Sequence, residues 1–329
     1  MGFIGSHTVV ELHNSGHQPI IIDNLSNSQD SVLAGIKNIT GQEFPFYEAD
    51  CNDAAAMDRV FSEHEIHGVI HFAAFKAVGE SVQKPLAYYQ NNVGSLMVLL
   101  DTMRKHGCSL LIFSSSCTVY GQPEQLPVTE TSPKQPAMSP YGNTKQVCEE
   151  VIEDESNTGD FLRAISLRYF NPIGAHPSGA IGELPIGVPN NLVPFITQSV
   201  AGLRGPLTVF GTDYDTSDGT CVRDYIHVVD LAKAHVASLE YLENKPEVAF
   251  DIFNIGTGRG NTVLEVIKAF EAATGLKVDY SLGDRRPGDV EKVYADVTKS
   301  KEQLGWQTVL SLQEALNDAW GWQKNLQKD

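Results

Sequence analysis

Three things are scarce in this chain: long apolar runs, pairable cysteines and basic charge. No stretch approaches the roughly 20 apolar residues that a helix needs to cross a bilayer, and no basic segment leads into an apolar core at the start. No membrane association is therefore expected. The five cysteines (Cys51, Cys108, Cys117, Cys148 and Cys221) are odd in number, scattered, and without a Cys-x-x-Cys. That usage predicts reduced thiols in a cytoplasmic protein, not a disulfide framework. Lysine and arginine number 24 against 41 aspartates and glutamates, a formal charge of −17. Such a balance repels nucleic acid and anionic membranes but leaves room for a local basic pocket that takes a diphosphate. The ten histidines form no metal motif: Gly16 ends the helix that His13 and His17 would share, and His64, His67 and His71 straddle a helix end and a strand. No metal is predicted.

What remains is a globular chain of 329 residues, 42% hydrophobic and 20% charged, long enough for one large or two smaller domains. Its organising stretch runs from Leu110 to Lys145. Leu110–Phe113 is an apolar run that predicts a buried parallel strand, and it stops in Ser114-Ser115-Ser116-Cys117-Thr118-Val119-Tyr120-Gly121. After a proline-rich loop, Ser139 and Pro140 read as the cap and first position of a helix. On that helix Tyr141 and Lys145, four apart, share a face. An ammonium beside a phenol favours phenolate, so the pair predicts a tyrosine whose pKa is lowered for acid–base work, with a strand-end serine in the same cleft.

Upstream, Gly2-Phe3-Ile4-Gly5 leads a helix that ends near Gly16, and Pro19–Asp23 reads as a short strand ending in an acid. A glycine turn at a helix N-terminus, followed about 20 residues later by an acid, suits a dinucleotide. Asp23 there repels a 2′-phosphate, so NAD is preferred to NADP. Strands are expected at 44–49, 68–74, 161–170, 207–211 and 249–255, and helices at 54–61, 85–106, 262–273, 300–304 and 311–322. Asn171-Pro172 breaks the strand at 161–170, and the α/β alternation becomes irregular from there. Arg223 and Arg286 are natural clamps for a diphosphate, because a guanidinium binds phosphate oxygens bidentately.

Over nearly its whole length the chain resembles the extended short-chain dehydrogenase/reductase family, most specifically at 114–121, 141–145, 168–176, 222–227 and 285–289. The resemblance implies an α/β fold: a Rossmann-type doubly wound parallel sheet in 1–170, rejoined by segments near 224–255, with a smaller mixed α/β substrate domain in 171–329. It implies NAD held by Gly2, Phe3, Ile4 and Gly5, by Asp23 with Asn24, Asn27 and Ser28, and by Asp50 and Cys51 near adenine. Phe72, Ala73, Ala74 and Lys76 would follow the pyrophosphate and ribose, with Asn91 behind them. Ser116, Tyr141, Lys145 and Phe170 complete the set. The implied substrate is a UDP-hexose, touched by Thr118 at the sugar and by Asn171 and Asn191 near phosphates and sugar. Leu192, Phe210 and Tyr225 would surround the uridine, with Arg223 and Arg286 on the diphosphate and Asp289 on the uridine ribose. Val293 would line the hexose pocket, where a small residue leaves room for an N-acetyl group. The implied reaction interconverts UDP-glucose and UDP-galactose through a transient 4-keto sugar, in a homodimer, with Tyr141, Lys145 and Ser116 as the catalytic residues.

Two rival readings stand beside it. A nucleotide-sugar 4,6-dehydratase usually carries Asp-Glu where Cys117-Thr118 stand here. A non-catalytic nucleotide-sugar-binding protein would have no use for Ser116, Tyr141 and Lys145 together. The family's glycine motif opens with a strand and a further glycine ahead of Gly2. The sequence as it stands thus predicts a sheet whose first strand is missing and whose grip on NAD is weakened.

Overall fold

The computed structural model describes residues 1–286 and 289–327. Its first half alternates helix and strand: α1 (Phe3–Asn14), β1 (Ile21–Asp23), α2 (Ser31–Thr40), β2 (Phe46–Glu48), α3 (Ala54–Glu63), β3 (Gly68–His71), α4 (Val78–Gln83), α5 (Pro85–His106), β4 (Leu110–Ser114), α6 (Pro140–Asn157) and β5 (Arg163–Tyr169). Then follow β6 (Asn171–Ile173), α7 (Leu192–Val200), β7 (Leu207–Phe210), β8 (Val222–His227), α8 (Val228–Asn244), β9 (Phe250–Ile255), β10 (Gly260–Thr262), α9 (Val263–Thr274), β11 (Tyr280–Gly283), β12 (Lys292–Val293), α10 (Thr298–Gln303) and α11 (Leu312–Asn325).

Local chemistry sets these boundaries. α5 starts with Pro85, whose missing N–H is no loss in a first turn, and stops at Gly107, which takes the left-handed conformation (φ 74°). Ser139 caps α6 by accepting the Gly142 amide at 3.1 Å. Capping boxes open α9 (Thr262 with Glu265) and α11 (Ser311 with Glu314).

One four-stranded sheet is parallel throughout, in the order β3-β4-β5-β9. Every residue of β4 is buried, because both faces of the sheet are covered. Leu111 and Phe113 face Leu96, Leu99 and Met103 of α5 and Ile152 of α6. Leu110 and Ile112 face Leu231, Leu239 and Leu242 of α8. Each such side chain contributes about 1.5–3 kcal/mol by leaving water. The parallel β1–β2 pair forms a separate ladder, and among the described residues no strand pairing joins it to β3. Packing holds it instead: Ile22 and Val69 both lie against the core between sheet and helices, and α1 rests on α8 and α2.

The second half builds around β8, which pairs antiparallel with β10 and parallel with β6 and β12. A β7–β11 ladder and helices α7, α9 and α11 enclose Ile173, Val209, Tyr225, Phe270 and Leu316. Of the segment expected to return to the first domain, β9 joins the edge of the parallel sheet and α8 covers its face, while β8 stays in the second sheet.

The strand expected over 161–170 stops at Tyr169, just ahead of Asn171-Pro172 as expected, and the chain then enters the second sheet as β6, with Asn171 and Pro172 paired to Tyr225 and Ile226. Proline is tolerated there because β6 is a short outer strand. The strand expected over 68–74 ends at His71, leaving Phe72–Ala74 as a loop.

Gly35 offers a direct test of the packing. Glycine to alanine inside a helix normally stabilises by about 1 kcal/mol. Here a Cβ would sit 2.3 Å from the Ala180 carbonyl oxygen and 2.6 Å from Ile181 Cγ2. Gly35→Ala should destabilise by about 1–3 kcal/mol in urea melts, as overpacking does; a stabilised variant would show that the 180–181 segment yields.

Candidate functional site

The carboxyl end of β4 is where the candidate catalytic residues meet. α6 turns Tyr141 and Lys145 inward on one face, 9% and 4% exposed, so both ionisable groups sit in a dry cleft. The Lys145 ammonium donates to the Ser114 carbonyl at 2.7 Å, and lies 4.8 Å from the Phe113 ring centre and 6.0 Å from that of Tyr141. Ser116, also buried, accepts the Thr118 amide at 3.2 Å and lies close enough to Tyr141 to influence its phenol. Gly121 closes the short turn after Ser116 with a positive φ (60°), where a side chain would strike Gln135 and Pro136.

Electrostatics here differ from expectation. Burial lifts the Tyr141 phenol above the usual tyrosine range, with Tyr169 adding to the rise and Ser116 opposing it. The Lys145 ammonium does not reverse this: it is turned to a main-chain carbonyl, and burial brings its own pKa down to about 8. Lys145 alone therefore does not make Tyr141 a phenolate. Cys117, between Ser116 and Thr118, is pushed up to about 12 by burial and stays a thiol at neutral pH.

Around the N-terminus of α1, no side chain caps Gly2, and a Cβ on Gly5 would touch Phe72 at 3.6 Å. Phe3 and Ile4 form the first turn. Asp23 accepts the Leu25 amide and the Ser28 hydroxyl, each at 2.8 Å, and pairs with the Met1 ammonium at 3.0 Å. Burial alone would raise the Asp23 carboxyl, but these partners outweigh it and hold it below the usual range. Asn24 donates to Asp50 at 3.2 Å, with Cys51 next to it; Asn27 is exposed. Ala73 and Ala74 continue the loop from Phe72. Asn91 bonds Asn92, and it is Asn92, unforeseen from sequence, that grips both the amide and the carbonyl of Phe75 and reaches Thr144 on α6.

On the other side of the cleft, Arg223 and Arg286 converge on Asp289 from two directions, at 3.9 and 2.8 Å. Register sets Arg223 beside Val293, and Tyr225 beside Asn171. Phe210 ends β7 with its ring 5.9 Å from the Arg286 guanidinium, and Leu192 opens α7. Pro287 and Gly288 of this arginine–aspartate motif lie outside the described residues. Asn191 donates to Glu183 at 2.6 Å, and Glu183 pairs with Lys76 at 3.6 Å, so an acid not singled out from sequence bridges the two candidate sets. Val293 packs with Phe170, Tyr120 and Val119. Thr118 Oγ1 is buried without a partner, as suits a group that waits for a ligand hydroxyl. Asp224, also missed, is fully buried and accepts the amides of Thr257, Gly258 and Ala295. The Gly256–Gly260 loop thus spends its amides on an internal carboxylate, not on a phosphate.

Residues 1–319 match a family model described as GDP-mannose 4,6 dehydratase. A UDP-glucose 4-epimerase from Bacillus subtilis (strain 168) is 51% identical over 98% of this chain and 95% of its own length. The solved UDP-glucose-4-epimerase of Stenotrophomonas maltophila, with bound NAD and formylated UDP-arabinopyranose, is 46% identical and superposes at TM-score 0.96 over 99% of this chain and 96% of that one. That of Bifidobacterium longum, in complex with NAD+ and UDP, is 46% identical at TM-score 0.95, over 98% and 96%.

The depressed Lys145 pKa has a sign that can be measured. Above about pH 8 the native site has released a proton that the unfolded chain keeps up to the ordinary lysine range, so this group's contribution to stability grows with pH in that window. Unfolding free energy without added ligand, wild type minus Lys145→Met, should rise from pH 8 to 10; a flat or falling difference would contradict the burial argument.

Proposed function

We infer the reaction from one premise: this chain belongs to the UDP-glucose 4-epimerase family, within the extended short-chain dehydrogenases/reductases. It interconverts UDP-glucose and UDP-galactose, a step of galactose and nucleotide-sugar metabolism, with enzyme-bound NAD as cofactor. The observation that carries the residue-level reading is the meeting of Tyr141, Ser116 and Lys145 in one buried cleft.

The residues suit NAD. The uncapped α1 N-terminus, with small residues at Gly2 and Gly5, offers backbone amides to a pyrophosphate, and the ionised Asp23 carboxylate suits ribose hydroxyls. Asn24, Asn27, Ser28, Asp50 and Cys51 surround the adenosine, Phe72 to Lys76 and Asn91 flank the middle, and Lys145, Tyr141, Ser116 and Phe170 take the nicotinamide end. Bound NAD supplies a reversible hydride acceptor at the sugar C4 and a positive ring that favours phenolate nearby. Tyr141 accepts the C4 hydroxyl proton and later returns it. Ser116 shares that proton through a hydrogen bond, and Lys145 stabilises the phenolate form. Oxidation makes C4 a planar ketone, so return of hydride to the opposite face inverts the centre. Arg223, Arg286 and Asp289 anchor the UDP, with Asn171, Asn191, Leu192, Phe210 and Tyr225, while Thr118 meets the hexose. The dehydratase alternative is disfavoured because a thiol and a hydroxyl, Cys117 and Thr118, stand next to Ser116 in place of a carboxyl pair.

Residues 1–170, with α8 and β9, hold the cofactor in this reading, and 171–329 hold the UDP-sugar. We place the enzyme in the cytoplasm as a homodimer. Its five free cysteines suit a reducing compartment. Val82, Leu86 and Met97 are exposed on α4 and α5, and burial between two copies would remove this apolar surface from water.

Tyr141→Phe should lower kcat by about 10²–10⁴, the usual worth of a general acid–base group, with UDP affinity unchanged. Near-normal turnover would assign the proton to another group. Val293 sets substrate range. Its neighbour Tyr294 is turned towards Gly260, so the ring does not refill the pocket. The wild type should accept UDP-GlcNAc and UDP-GalNAc as well, and Val293→Tyr should exclude that pair while keeping the unsubstituted one. Rejection of the acetylated pair by the wild type would overturn this assignment.

A further inference from the structure

Three consecutive serines end β4, and the reaction as described uses only the third. Each has a separate commitment. Ser114 shares a 2.5 Å hydrogen bond with the Tyr169 hydroxyl on β5. Ser115 donates to Glu149 Oε1 at 2.6 Å. Ser116 meets Tyr141. Glu149 lies one helical turn beyond Lys145, so Tyr141, Lys145 and Glu149 form one inward face of α6. α6 therefore grips the strand end at two successive residues: Lys145 through the Ser114 carbonyl and Glu149 through the Ser115 hydroxyl.

Glu149 is fully buried and paired with Arg168, also buried, which donates from Nε at 2.9 Å and from Nη2 at 2.6 Å; Lys134 approaches from the rim at 3.1 Å. Arg168 does more than neutralise. Its Nη1 donates to the Tyr120 hydroxyl at 3.1 Å and to the Glu130 carbonyl at 3.2 Å, and Tyr120 donates on to Asn254 of β9 at 2.6 Å. The turn that carries Ser116 is thus fixed on both sides, at Ser115 and at Tyr120, and both anchors end on the same ion pair.

We propose that the Glu149–Arg168 pair positions the acid–base site, holding the Ser115–Tyr120 turn so that the Ser116 hydroxyl meets Tyr141. A buried ion pair is a poor device for stability alone, since apolar residues of similar volume often do as well or better. What an apolar pair cannot supply is a directed acceptor for Ser115 and a directed donor for Tyr120. Glu149 and Arg168 touch none of the reacting atoms, so they act through Ser116. This inference rests on the epimerase reading.

Glu149→Gln strands a buried guanidinium and is liable to unfold, so the test uses Ser115→Ala and Tyr120→Phe, which each remove one oxygen and leave the ion pair intact. Each should lower kcat for UDP-galactose about tenfold, as expected for a lost hydrogen bond to a charged group, with KM within about twofold. A crystal structure of Ser115→Ala should show the Ser116 hydroxyl out of hydrogen-bond reach of Tyr141. Wild-type kcat in Ser115→Ala overturns the proposal, as does a loss of turnover matched by an equal loss of UDP binding. If the wild type itself does not turn over UDP-galactose, the epimerase reading fails. The crystal structure still decides the positioning claim, since an unmoved Ser116 refutes it.

Discussion

An ammonium group cannot stay unpaired in a dry cleft, and the Lys145 ammonium finds its partner in the Ser114 carbonyl at the end of β4. That bond, together with the Ser115 hydrogen bond to Glu149, ties α6 to the strand end on the face that carries Tyr141. The carbonyl is available because the parallel ladder of β4 stops at Ser114, leaving main-chain groups at the carboxyl edge without a strand partner. The site therefore lies where open parallel sheets generally place ligands, beyond the carboxyl ends of the strands. Burial that makes the lysine need a partner also raises the Tyr141 phenol. Burial thus favours the neutral form of both groups, so tyrosine and lysine do not make a phenolate by themselves.

The second half of the fold is organised around another buried ionisable group. Asp224 gathers the amides of Thr257, Gly258 and Ala295 and so draws the loop after β9 and the segment after β12 onto β8. One residue away on β8, Arg223 points to Asp289, where Arg286 also arrives. Two arginines facing one carboxylate leave net positive charge in a chain whose overall charge is −17. That local inversion is what a diphosphate would need.

Much of this was legible in the residues, for physical reasons. Pro85 and Gly107 mark the limits of α5, and Ser139-Pro140 marks the start of α6, because caps act over a few residues. The uniform apolarity of Leu110–Phe113 reflects a strand covered on both faces. The partners that complete the site were not legible, since they join distant parts of the chain. Glu149, Asn92 and Glu183 looked like ordinary polar residues until the fold brought Glu149 to Arg168, Asn92 to Phe75, and Glu183 to Lys76 and Asn191. The ionisation of Tyr141 was misjudged for a related reason. Sequence spacing shows that a cation is near, but not how much water the fold removes from both groups.

The central claim is that C4 is inverted by removal and return of its own hydride within one cleft, with Tyr141 moving only the hydroxyl proton. Conversion of UDP-galactose deuterated at C4 tests it most directly. The account predicts that the UDP-glucose formed keeps its deuterium at C4 and that none is gained there when unlabelled substrate reacts in heavy water. Loss of the label to solvent, or solvent deuterium appearing at C4, would show that a proton and not a hydride leaves the carbon, and would contradict the account.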